Sequence, residues 1–115
     1  MTGESVYEAA LAAAGRLGVE DSFMGYGELR GPYIGHGIGL ELDEPPVLGP
    51  GVDTPIEEGM ILAVEPKLIS PDFGAVSIED DVVVTADGCE LLGDVPRCVF
   101  VVEGSGAVAR VPSDG

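Results

Sequence analysis

Val6, Ala10, Ala13 and Leu17 recur at helical spacing, which predicts an amphipathic helix with one apolar stripe near the start of the chain. Ser5 reads as its N-cap, with Glu8 three residues on completing a capping box, and Gly18 supplies a stop. Residues 19–32 are rich in glycine and polar side chains and read as a loop with one helical turn near Asp21. From residue 33 the period changes to two. Ile38, Leu40 and Leu42 alternate with Gly37, Gly39 and Glu41, which predicts a half-buried strand ended by Pro45 and Pro46. Gly49, Pro50, Gly51 and Pro55 mark residues 48–59 as a loop. Residues 60–68, 76–85, 89–92 and 97–102 read as further strands, with turns at 71–74 and 86–88. Residues 104–115 read as a flexible tail. Short connections make the pairing mostly antiparallel. The expected class is α+β: an N-terminal amphipathic helix packed on a curved sheet, in one domain over residues 1–103.

Charge narrows the range of partners. The 115 residues carry 5 Lys+Arg against 21 Asp+Glu, a formal net charge of −16. Phosphate would be repelled, so nucleic acid and anionic membranes are excluded as partners. A hydrophobic share of 45% sets the chain apart from disordered acidic tails. The excess acid reads either as an ordinary solvated surface or as adaptation to high salt, where self-repulsion is screened. No basic leader precedes an apolar run, and no apolar run approaches the ~20 residues of a membrane span, so a cytoplasmic protein is expected. Cys89 and Cys98 read as two reduced thiols rather than a bridge.

The candidate chemistry centres on His36, the one histidine, set between Gly35 and Gly37. Flanking glycines let another strand or a ligand approach closely. Glu65 lies in an apolar strand, where a carboxylate is costly to bury without a partner. Glu79 opens the triplet Glu79-Asp80-Asp81 inside a β-branched strand, and like charges this dense call for a neutralising cation. An imidazole and two carboxylates on successive strands are the raw material of a metal site. Each residue also has a plainer reading: a histidine at a strand end, or carboxylates facing solvent.

Three motifs then stand in order: Gly-His-Gly-Ile-Gly-Leu-Glu-x-x-Glu-Pro-Pro from Gly35, Glu-Glu-Gly-Met-x-x-x-x-Glu-Pro from Glu57, and Ile-Glu-Asp-x-Val-x-Val-Thr-x-x-Gly from Ile78. Together they resemble the C-terminal part of the creatinase/prolidase/methionine aminopeptidase family of pita-bread-fold metallohydrolases, nearest to Xaa-Pro dipeptidase and aminopeptidase P. The resemblance covers the chain from the first helix to about Leu92. It implies that His36, Glu65 and Glu79 are metal ligands, with Glu79 bridging two divalent ions (manganese, cobalt, zinc or iron) in the complete protein. It implies a peptide or small amide substrate and a homodimer. It also implies three departures. Two aspartate ligands belong to strands before the helix, so the chain is expected to be a fragment that binds one ion or none and is inactive alone. Asp43 stands where relatives place a second histidine and is the candidate catalytic residue. Ser77 stands where many relatives have an arginine. The alternative is a non-catalytic binding module on the same fold.

Overall fold

The computed structural model describes residues 1–102, residue 104 and the backbone of residues 108–111. Helix α1 spans Gly3–Leu17 and begins earlier than the sequence predicts. Thr2 is the N-cap: its side chain accepts from the Ser5 amide, and the Thr2 amide donates to Ser5 Oγ. Ser5 therefore sits at the third helical position and plays the part expected of Glu8, so the capping box exists one turn nearer the N-terminus. Gly18 closes the helix in the left-handed conformation, at φ 68°, as expected.

The expected loop over 19–32 carries a small hairpin, β1 (Gly25–Tyr26) with β2 (Leu29–Arg30). Next come β3 (Gly35–Gly37), β4 (Glu44–Leu48), β5 (Ile61–Val64), β6 (Lys67–Ser70), β7 (Gly74–Ser77), β8 (Asp80–Thr85), β9 (Gly88–Leu91), β10 (Val99–Val102) and β11 (Val108–Val111). The main sheet runs β4-β3-β5-β8-β9, with antiparallel neighbours throughout. Strand β11 falls inside the stretch expected as a flexible tail and pairs with β10. Residues 103, 105–107 and 112–115, all but the first part of that expected tail, lie outside the described residues. Cys89 and Cys98 are unbridged.

The strand expected over residues 38–42 is not there. The strand is Gly35–Gly37, and the alternating leucines lie in a bent loop, with Leu40 fully exposed and Leu42 74% exposed. The last ladder bond on this side is Ile38 N–H to the Ile61 carbonyl. Beyond it the Glu44 carboxylate accepts from the Glu41 amide and turns the chain back. Period-two hydropathy describes a strand only where a partner is within reach, and among the described residues none covers Leu40. Leu40→Ser is accordingly expected to change stability by less than ~0.5 kcal/mol, measured as a urea midpoint; a larger loss would place Leu40 in a packed interface.

Pro45 and Pro46 also depart from expectation, since they lie inside β4 rather than ending a strand. They are tolerated because β4 is the edge strand, where a missing amide donor costs no ladder bond. A register shift between His36 and Gly37 takes up the extra residues. Helix α1 packs on β4. The core between them gathers Ala14, Phe23, Met24, Ile34, Leu48, Leu62 and Val82.

The expected strands at 60–68 and 76–85 are each split, at Glu65-Pro66 and at Ile78-Glu79. Strands β5 and β8 pair Ile61 with Val83 through to Val64 with Asp80; β6 and β7 pair Lys67 with Ser77 through to Ser70 with Gly74. These ladders keep one register. They form a single long ribbon interrupted only at two steps, Glu65 opposite Glu79 and Pro66 opposite Ile78. Pro66 has no amide hydrogen to give to the ladder, which accounts for the break. Ser77 Oγ donates to the Pro66 carbonyl at 3.1 Å and ties the two strands beside the gap.

Candidate metal centre

His36 lies mid-strand in β3, paired with Ala63 of β5 on one side and Val47 of β4 on the other. Glu65 follows β5 by one residue, and its amide donates to the Ile34 carbonyl at 2.7 Å. Period two puts Glu65 on the face of Ala63, diagonal to His36. The two side chains meet: His36 Nε2 is 3.6 Å from Glu65 Oε1. Asp43 arrives from the loop that folds back before β4, with Oδ1 3.1 Å from the same Nε2. The imidazole is 15% exposed, Glu65 26% and Asp43 74%. The three line a cleft of about 380 Å3, walled by Met24, Pro32, Tyr33 and Val47.

Hydrogen-bond chemistry shows what this arrangement wants. His36 Nδ1 lies 2.9 Å from the Gly37 carbonyl, which can only accept, so Nδ1 donates. In a neutral ring that leaves Nε2 as a bare lone pair facing two carboxylate oxygens. Acceptor against acceptor is unfavourable, so a cation belongs there, as a proton on Nε2 or as a metal ion. An imidazole with its second nitrogen tied to a backbone carbonyl is a common form of metal ligand. One imidazole among carboxylate oxygens suits a divalent ion of the manganese, iron, cobalt or zinc type. In kind, the donors fit such an ion.

Their convergence is partial. Glu79 stands opposite Glu65 by register, but its side chain is exposed and borders a separate recess with Asp80, Arg97 and Cys98. Arg97 Nε donates to Asp80 Oδ2 at 2.7 Å beside it. Among the described residues, no three His, Cys, Asp or Glu side chains are arranged around one point as a metal shell. The structure thus brings together His36, Glu65 and Asp43, and leaves the Glu79 side chain at a separate recess.

Lys67 is the one basic residue near Glu65 in the sequence, and sequence reading gives it no part in the site. Its Nζ donates to Glu65 Oε2 in a short ion pair. The signal was present: Lys67 is the only lysine, and its i+2 spacing from Glu65 sets both on one face of the ribbon.

This geometry now meets its relatives. The chain belongs to metallopeptidase family M24, whose family model matches residues 1–86. It is 38% identical over 73 residues to an Xaa-Pro dipeptidase from Pyrococcus horikoshii, covering 64% of this chain and 21% of that protein. Its fold matches an X-Pro aminopeptidase from Thermotoga maritima with a TM-score of 0.72 at 33% identity, over 84% of this chain and 26% of that one. A prolidase from Pyrococcus furiosus matches equally well, with a TM-score of 0.72 at 32% identity over 84% of this chain and 27% of the other. The chain therefore has the α+β pita-bread fold in part, and it spans about a fifth to a quarter of the length of these relatives. No described helix is long and apolar enough to cross a membrane.

Proposed function

We propose that this chain is the His/Glu/Glu-bearing part of a metal-dependent hydrolase of the Xaa-Pro peptidase type, with His36, Glu65 and Glu79 as ligands. The observation that carries the reading is the single register of the β5–β8 ribbon. It sets Glu79 opposite Glu65, whose Oε1 lies 3.6 Å from His36 Nε2, at the step where the ladder opens. When bound, a divalent ion in such a site polarises a carbonyl and acidifies a water. The chain's own side chains orient and hold. Gly37 fixes the imidazole tautomer through its carbonyl, and the apolar wall of Met24, Tyr33 and Val47 receives a peptide substrate. Asp43, exposed and 3.1 Å from Nε2, is placed to accept a hydrogen bond from substrate or from the ring.

Three protein donors are fewer than a tight two-ion centre uses, so the chain alone is expected to bind an ion weakly and not to turn over substrate. A cytoplasmic homodimer fits the exposed ladder edge of β9 and the apolar groove between α1 and the β6–β7 arm.

Titration with Mn2+ followed by calorimetry tests the reading. Saturable binding is expected, reduced at least tenfold by Glu79→Gln. Binding of equal strength in Glu79→Gln would remove Glu79 from the site and the hydrolase reading with it.

A further inference from the structure

We propose that Lys67 is a built-in counter-cation that holds one oxygen of Glu65 and so weakens the binding of a divalent ion at the site. The proposal rests on the reading of His36, Glu65 and Glu79 as a cation site. A divalent ion must compete with any cation already held by the carboxylate it binds. Here Glu65 presents Oε1 to His36 Nε2 at 3.6 Å, while Oε2 is taken by the Lys67 ammonium. Lys67 forms no other ion pair among the described residues. The pair is sheltered, with Glu65 26% and Lys67 36% exposed, so the lysine charge is only partly screened from an incoming cation.

The lysine is held there by its backbone. The Met24 amide donates to the Lys67 carbonyl at 2.8 Å, and the Lys67 amide points at Met24 Sδ at 3.3 Å. Phe23 bridges Leu68 alongside. Met24 makes these contacts from φ 59°, a left-handed conformation that is uncommon for a side chain of its size, and it is 3% exposed. Pro66 stiffens the one residue between the partners. A strained, buried residue thus clamps the strand that carries the only lysine directly onto the carboxylate of the site. The ammonium offsets the carboxylate charge at Oε2 and repels an ion approaching Oε1.

Mn2+ titration of the full chain, read by the electron paramagnetic resonance signal of free Mn2+, tests this with no need for catalytic turnover. Lys67→Met is expected to tighten Mn2+ binding at least tenfold, while Lys67→Arg stays within about twofold of the parent. Arg16→Met, which makes the same change in net charge at an exposed position of α1, is expected to change binding less than twofold. Equal binding by the parent and Lys67→Met, with loss in Glu79→Gln, would overturn the role of Lys67 and leave the cation site standing. An equal gain in Arg16→Met would also overturn it, because net charge alone would then suffice. No saturable binding in either the parent or Lys67→Met would overturn both readings.

Discussion

Leu48→Ala is expected to destabilise the chain by about 2–5 kcal/mol, a large part of the ~5–15 kcal/mol that holds a typical domain together. Leu48 is fully buried at the end of β4, where the helix rests on the sheet. Its carbonyl accepts from the Ile34 amide at 2.9 Å, so its backbone is pinned and cannot follow the side chain inward to close a cavity. The cost is therefore the lost burial plus most of the void. Urea denaturation followed by circular dichroism measures it. A loss below about 1 kcal/mol would mean that the helix slides to fill the space, and that the packing of α1 on β4 is looser than drawn.

Gly35→Ala is expected to cost about 3 kcal/mol, at the upper end of ordinary overpacking. A Cβ at this position would strike the Ala63 carbonyl oxygen, with Leu48 Cδ1 at 3.0 Å and Val64 Cα at 3.2 Å. The carbonyl belongs to the neighbouring strand of the ladder, so it cannot swing aside without opening the β3–β5 pairing. Because that pairing also aims His36 at Glu65, the same substitution is expected to weaken Mn2+ binding. Gly15→Ala is the control. A Cβ there meets nothing within 4 Å, and the helix should gain roughly 0.5–1 kcal/mol. Parallel melting curves distinguish the cases. Two variants shifting in the same direction would show that glycine entropy, and not contact, governs both sites.

The chain announces some of this fold and conceals the rest for physical reasons. The helix is legible because a 3.6-residue apolar stripe and Gly18 leave few alternatives. Its start is misread because Thr2 with Ser5 can satisfy the same amides as Ser5 with Glu8. The strand at 38–42 is misread because alternation does not say whether a neighbouring strand reaches that far. Pro45 and Pro46 mislead because a proline forbids only a ladder bond that would have formed, and an edge strand requires none on its open side. At the site, His36 and Glu65 are readable from odd chemistry in apolar strands. Their meeting and the return of Asp43 depend on pairing across β3, β4 and β5, which no local pattern contains, whereas the grip of Lys67 is a local contact two residues along the chain from Glu65. The resemblance to a metallohydrolase family, drawn from three ordered motifs, is the part that long-range geometry did not have to supply.

The continuous ribbon from β5 to β8 makes chain length itself part of the site. Because both ladders share one register, the facing of Glu79 with Glu65 depends on how many residues lie in the arm between them, whatever those residues are. Loss of a single residue from β7, with the Ser70–Gly74 turn kept, would bring Asp80 opposite Glu65 in place of Glu79. Removing one residue from each side of the arm would shorten it and keep the two carboxylates face to face. Insertions and deletions in the two strands of this arm should therefore be tolerated in balanced pairs and rejected singly.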